Sequence, residues 1–103
     1  MGAVRFQVKT VGNNQVVDEI HKIVVHKFDM SDVEDPDIYA AGPILDWERS
    51  EAGQFVMKHA VDTPEWHRHM DPMWMGYRYV ITAELEKKKL SEFYLKFDKT
   101  LKV

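Results

Sequence analysis

The sequence contains no cysteine, few prolines and glycines, and no long apolar run. Each absence removes a class of protein. Without cysteine there is no disulfide, no thiolate nucleophile, no iron–sulfur cluster and no cysteine-based zinc site. A small secreted scaffold held by disulfides is disfavoured for the same reason. The five glycines are scattered at 2, 12, 42, 53 and 76, so no glycine-rich loop cradles a phosphate. Ser31, Ser50 and Ser91 lack the strand-to-helix setting of an activated serine nucleophile. No apolar stretch approaches the roughly 18 residues of a membrane span. Residues 1–8 are too short and too polar for a secretion signal. A strong positive balance is missing as well: the net charge is −3, which argues against a surface built to coat nucleic acid. The expectation is one soluble, intracellular domain over residues 1–103, long enough to bury a single core.

What is present is unevenly distributed. Residues 29–51 hold eight acidic side chains and one basic one, while residues 1–28 and 84–103 each carry a net +2. The modest total is therefore a cancellation, and the acidic segment is positioned to steer association. A solvated acidic face explains it better than catalytic carboxylates, because no spacing points to a cleft.

Residues 1–9 alternate Val4, Phe6 and Val8 with Arg5, Gln7 and Lys9, the period of a strand with one wet face. Gly12-Asn13-Asn14 is a turn signal, and residues 15–30 return as an antiparallel partner rich in β-branched side chains. Asp35-Pro36 offers a helix N-cap followed by proline at the first helical position. Pro43 is expected to interrupt that helix, giving turns over about 36–41 and 43–51. Residues 54–61 read in two ways, as a strand after a helix-ending Gly53 or as helix continued through it. The strand reading is favoured, since glycine inside a helix costs about 1 kcal/mol against alanine. Residues 77–86 alternate strongly. Phe93, Leu95 and Phe97 alternate after the 87–89 lysine run, which predicts a C-terminal β-hairpin over 77–98. The resulting class is α+β, with a four- or five-stranded antiparallel sheet and one interrupted helix, about 36–51, packed on one face.

Two clusters carry the candidate chemistry. His67, His69 and Asp71 alternate, so an extended backbone would turn two imidazoles and a carboxylate the same way. His59 joins them if 54–61 pairs with this segment. Such a set suits a divalent transition metal, either in a binding protein or in a small metalloenzyme. The bland alternative is an irregular loop, interrupted by Pro64 and Pro72, whose histidines face water. The second cluster is denser: Trp66, Met70, Met73, Trp74, Met75 and Tyr77 fall within twelve residues. Tryptophan, tyrosine and methionine supply large, adaptable contact area at interface cores. This segment either caps the protein's own core or meets a partner. A pocket for a small apolar ligand, lined by Trp47, Tyr77 and Tyr79, is a further expectation.

Parts of residues 44–97 have a familiar look. The run from Trp47 through Gly53 to Ala60, then Pro64-Glu-Trp66-His, Gly76-Tyr77, Ile81-Thr-Ala83-Glu-Leu85 and Phe93-Tyr-Leu-Lys-Phe97, resembles small uncharacterised proteins of tailed cyanophages. The resemblance covers about half the chain and lends no catalytic residue or cofactor. It implies a phage-encoded protein acting in the host cytoplasm or the virion. The combined expectation is a non-enzymatic interaction or structural protein without a cofactor. It would use the 66–75 loop or a sheet edge to bind a protein partner or a second copy of itself, and not nucleic acid or membrane.

Overall fold

A computed structural model describes residues 3–31, 33–70, 72–73 and 75–97. In chain order the elements are β1 (Ala3–Val11), β2 (Asn14–Met30), α1 (Pro36–Arg49), α2 (Glu51–His59), β3 (Glu65–Met70), β4 (Tyr77–Glu86) and α3 (Lys87–Phe97). The four strands form one sheet in the order β1-β2-β4-β3, with every neighbour antiparallel. The three helices cover one face, so the α+β class holds.

The β1–β2 hairpin closes through Gly12 and Asn13. Gly12 takes φ 61° while Asn13 stays at negative φ, the sign pattern of a type II′ turn. β2 is the spine of the sheet, and its two neighbours are staggered along it. Residues 14–22 pair with β1 and residues 20–30 pair with β4. Only three positions therefore have a strand on both sides, and the hairpin projects as an arm. The molecule measures 55 × 30 × 25 Å with a radius of gyration of 16.1 Å. A compact chain of this length has about 13 Å.

β4 supplies the core face. Tyr79, Ile81, Ala83 and Leu85 are buried and alternate with half-buried Val80, Thr82, Glu84 and Glu86. The register of β2 shifts between Val24 and His26, leaving Val25 as the extra residue of a bulge. Before the bulge the odd residues His21 and Ile23 lie opposite the buried Leu85 and Ala83. After it the even residues His26 and Phe28 lie opposite Ile81 and Tyr79. The unalternating Ile23-Val24-Val25 run is the sequence trace of that switch. Trp47, Val56, Leu90 and Phe93 pack from the helices onto this face.

Five expectations need correction. Pro43 does not interrupt α1; the break falls at Ser50, whose backbone is extended at ψ 164°. Asp35 does not cap α1 through its side chain; it adopts φ 50° and ψ 58°. Residues 54–61 are not a strand. Ser50 starts a second helix, its Oγ accepting from Gly53 N at 3.0 Å and donating to the Trp47 carbonyl. Gly53 neither ends a helix nor merely survives inside one. A Cβ there would sit 1.7 Å from the Trp47 carbonyl oxygen, so glycine is what lets the two helices turn closely past each other.

The C-terminal hairpin is also absent, because residues 87–97 are helix. Leu90, Phe93, Tyr94 and Phe97 recur at helical spacing and pack on the core, whereas Leu95 is 73% exposed. No glycine, asparagine or proline lies between Glu86 and Leu90 to turn a hairpin, and the three lysines form the first helical turn instead.

Candidate functional site

β3 is an edge strand with β4 as its neighbour, and all six of its residues are exposed. Its register sets Trp66 opposite Ile81, Arg68 opposite Tyr79 and Met70 opposite Tyr77. Opposed residues in an antiparallel pair share a face, so these three lie on the helix-covered side. His67 and His69 lie opposite Val80 and Arg78, on the open side.

The helix-side residues are anchored at their bases and free at their tips. The Trp66 ring sits 5.7 Å from Tyr79, and with Ile44, Trp47 and Met57 it lines a cavity of about 100 Å³. It nonetheless stays 45% exposed. Asp37, in the first turn of α1, organises the neighbouring positions. Its Oδ1 accepts from the Tyr79 hydroxyl at 2.7 Å and lies 3.1 Å from Arg68 Nη1. Burial, reinforced by Asp37, pushes the Tyr79 hydroxyl up to about 12, so it is a proton donor at physiological pH. The hydrogen bond with Tyr79, and then the charge of Asp37, raises the Arg68 guanidinium above its ordinary value. Arg68 also covers the Tyr77 ring, 5.4 Å from its centroid. These contacts tie β3 and β4 to the first turn of α1.

Beyond it, Met70, Met73 and Met75 are 53, 90 and 55% exposed. Met75 takes φ 60°, a conformation that non-glycine residues rarely adopt, beside the buried Gly76. The first part of the aromatic–methionine segment is thus strand, and Trp66 and Tyr77 divide their area between own core and solvent. Trp74 lies outside the described residues.

The histidine set is only partly brought together. His67 and His69 share the open face of β3, with His67 Nε2 3.4 Å from Thr82 Oγ1. The register places the cation of Arg78 across from His69. Asp71 lies outside the described residues. His59 ends α2 instead of pairing beside β3, with the Phe55 ring 4.6 Å away. Burial, then the charge of Lys89, holds it below the usual histidine range. Among the described residues no three histidine, aspartate or glutamate side chains converge as a metal site.

The expected apolar ligand pocket takes a different form. Tyr79 is fully buried and stacks on Phe28 at 5.2 Å, so it fills the core. The 100 Å³ cavity at Trp47 is well below the roughly 300 Å³ of a typical ligand site. An open groove of about 700 Å³ runs past Val25, His26, Trp47 and Tyr94 on the other side of that tryptophan.

The second sheet edge was not legible in the sequence. Val4, Phe6 and Val8 read as the buried side of β1, yet they are 52, 65 and 61% exposed. Val17, opposite Val8, is 62% exposed. The signal that would have revealed them is the length of β2, which outruns β4 and leaves most of the arm beyond the helices.

No protein-family model, curated protein or solved structure matches the chain. No helix among the described residues is long and apolar enough to cross a membrane.

Proposed function

We propose that this chain is a non-enzymatic, phage-encoded interaction protein that receives an extended segment of a protein partner along β3. The observation that carries this reading is an edge strand exposed at every position, with Trp66 and Met70 on one side and Met75 beyond. A free edge offers backbone hydrogen bonds to an added strand, and side chains at alternate positions supply selectivity. Trp66 and Met70 are the apolar anchors. The Asp37–Arg68–Tyr79 contacts tie the strand to the first turn of α1, which favours a pre-ordered edge for binding. The acidic 29–51 segment favours encounter with a basic partner. The phage assignment rests on the resemblance of residues 44–97 to cyanophage proteins.

The test is affinity capture from infected cells, followed by calorimetry with each captured protein after purification. Trp66→Ala/Met70→Ala should weaken binding at least tenfold while leaving the circular dichroism spectrum unchanged. Leu95→Ala, on the exposed side of α3, should bind as wild type. Equal binding by all three proteins would overturn the reading.

A further inference from the structure

The outer edge of β1 carries a pattern that fits a copy of itself. In a two-residue hairpin the closing pair, here Val11 and Asn14, is hydrogen-bonded, and pairing alternates from there. The backbone groups of Lys9, Gln7 and Arg5 therefore bind β2. Those of Val4, Phe6, Val8 and Thr10 point out along the free edge. The side chains of Val4, Phe6 and Val8 stand on the helix side of the sheet and are more than half exposed, although Phe6 shares an open groove with Val17, Lys87 and Ser91. They are spaced symmetrically: Val4-Arg5-Phe6-Gln7-Val8 reads the same apolar pattern in both directions about Phe6.

We infer that β1 is a homodimerisation edge, pairing antiparallel with β1 of a second copy about a two-fold axis at Phe6 to give a continuous eight-stranded sheet. In this register Phe6 lies opposite Phe6 of the second copy, and Val4 opposite Val8. All three apolar pairs fall on one face, and an isologous contact closes at two copies.

The charges select the same register. Centred on Phe6, Arg5 faces Gln7 of the other copy and Lys9 faces Ala3. Moving the centre to Gln7 sets Arg5 against Lys9, and moving it to Arg5 sets Arg5 against Arg5. Like charges directly opposite are unfavourable, so both neighbouring registers are penalised. Shifts by a single residue put apolar side chains opposite polar ones and are excluded by the pleat. Arg5 and Lys9 bring no unmet charge to the edge. Arg5 Nε is 2.7 Å from Glu84 Oε2, and Lys9 Nζ is 2.9 Å from Asp18 Oδ2 and 2.8 Å from Glu86 Oε1. No acidic partner is required, and the edge accepts a strand of the same apolar spacing whose charges are likewise engaged within its own sheet, as β1 of a second copy is. β1 has no proline and no bulge, and the two charges it does carry, Arg5 and Lys9, are engaged by carboxylates of the chain's own sheet.

Sedimentation equilibrium tests this directly. Wild type is expected to be a dimer that dissociates on dilution. Phe6→Asp sets two carboxylates opposite each other and should weaken dimerisation at least a hundredfold without loss of fold, since Phe6 is largely exposed. Gln7→Glu places a carboxylate against Arg5 of the other copy and should tighten the dimer several-fold. Gln7→Arg should loosen it by a similar factor. Because the chain has no cysteine, Phe6→Cys provides an independent reading. Hydrogen-bonded antiparallel pairs hold Cα atoms about 5.5 Å apart, too wide for an unstrained disulfide but within reach of a short thiol-bridging reagent, so Phe6→Cys should cross-link with that reagent. Val8→Cys, which faces Val4, should not. A monomer at every concentration, a dimer indifferent to Phe6→Asp, or equal responses to the two Gln7 substitutions would overturn the inference.

Discussion

At the scale of the residue, Gly53 and His26 illustrate what a sequence conceals. Gly53 was legible as an unusual point in a helical pattern, but its cause is a carbonyl on another helix. That close approach exists only once α1 and α2 are assembled. Gly53→Ala is expected to destabilise the fold by about 3 kcal/mol or more, the scale of severe overpacking, read as a lower urea midpoint. An alanine at Gly42, where no atom lies within 4 Å, should be tolerated.

His26 carried no signal of its own in the sequence. It reaches the core side because of the bulge, where its ring stacks on Trp47 at 6.0 Å and lies near Phe28. Burial holds its imidazole below the usual histidine range. The unfolded chain therefore takes up the proton at higher pH than the folded one. The stabilising contribution is complete above the unfolded value, about 6.5, and is lost as pH falls below it toward the folded value. His59 is shifted in the same direction and adds to the same window. Glu84, held low by its hydrogen bond to Arg5, contributes stability above the unfolded carboxylate value. Its loss begins only near about pH 4. Urea midpoints should thus fall between pH 7 and 5, and His26→Phe/His59→Gln should flatten that interval while leaving the acid limb intact.

At the scale of the element, β1 and β4 were readable from their alternation, and β2 from its β-branched residues after the Gly12-Asn13-Asn14 turn signal. The C-terminal segment misled because Phe93, Leu95 and Phe97 alternate, while Leu90, Phe93, Tyr94 and Phe97 also fit a helical stripe. Periodicity over so few residues permits both, and packing against Phe55, Leu85 and Trp47 decides. The two readings differ in one residue. In a strand Phe93 and Leu95 would be equally buried. In the helix Phe93→Ala should cost about 3–5 kcal/mol, whereas Leu95→Ala should stay within about 0.5 kcal/mol, both from equilibrium unfolding. The candidate site was half legible for a related reason. The sequence located the aromatic–methionine cluster, but a segment bounded by Pro64 and Pro72 concealed that its first part is an ordered edge strand held by Asp37 and Arg68. Those two residues lie 31 positions apart, beyond any local pattern.

At the scale of the whole molecule, the total charge and composition said nothing about shape. The elongation follows from the stagger of β1 and β4 along β2, a register choice made by long-range pairing. Ion pairs from Arg5 to Glu84 and from Lys9 to Glu86 reach across β2 and tie the arm to β4. These pairs are exposed and will weaken with salt.

With only positions 20–22 of β2 flanked on both sides, a short seam joins the hairpin arm to the helix-covered part of the sheet. The arm packs on the rest of the chain only through this seam, two ion pairs and the groove it shares with the first turn of α3, so its amide protons should exchange with solvent before those of β4. Measured by deuterium uptake, residues 4–19 are expected to form a fast class that quickens with salt, set against a slow class in β4 and α3. If β1 docks on a second copy, that fast class alone should slow as protein concentration rises. The exchange clock of one hairpin would then report on assembly.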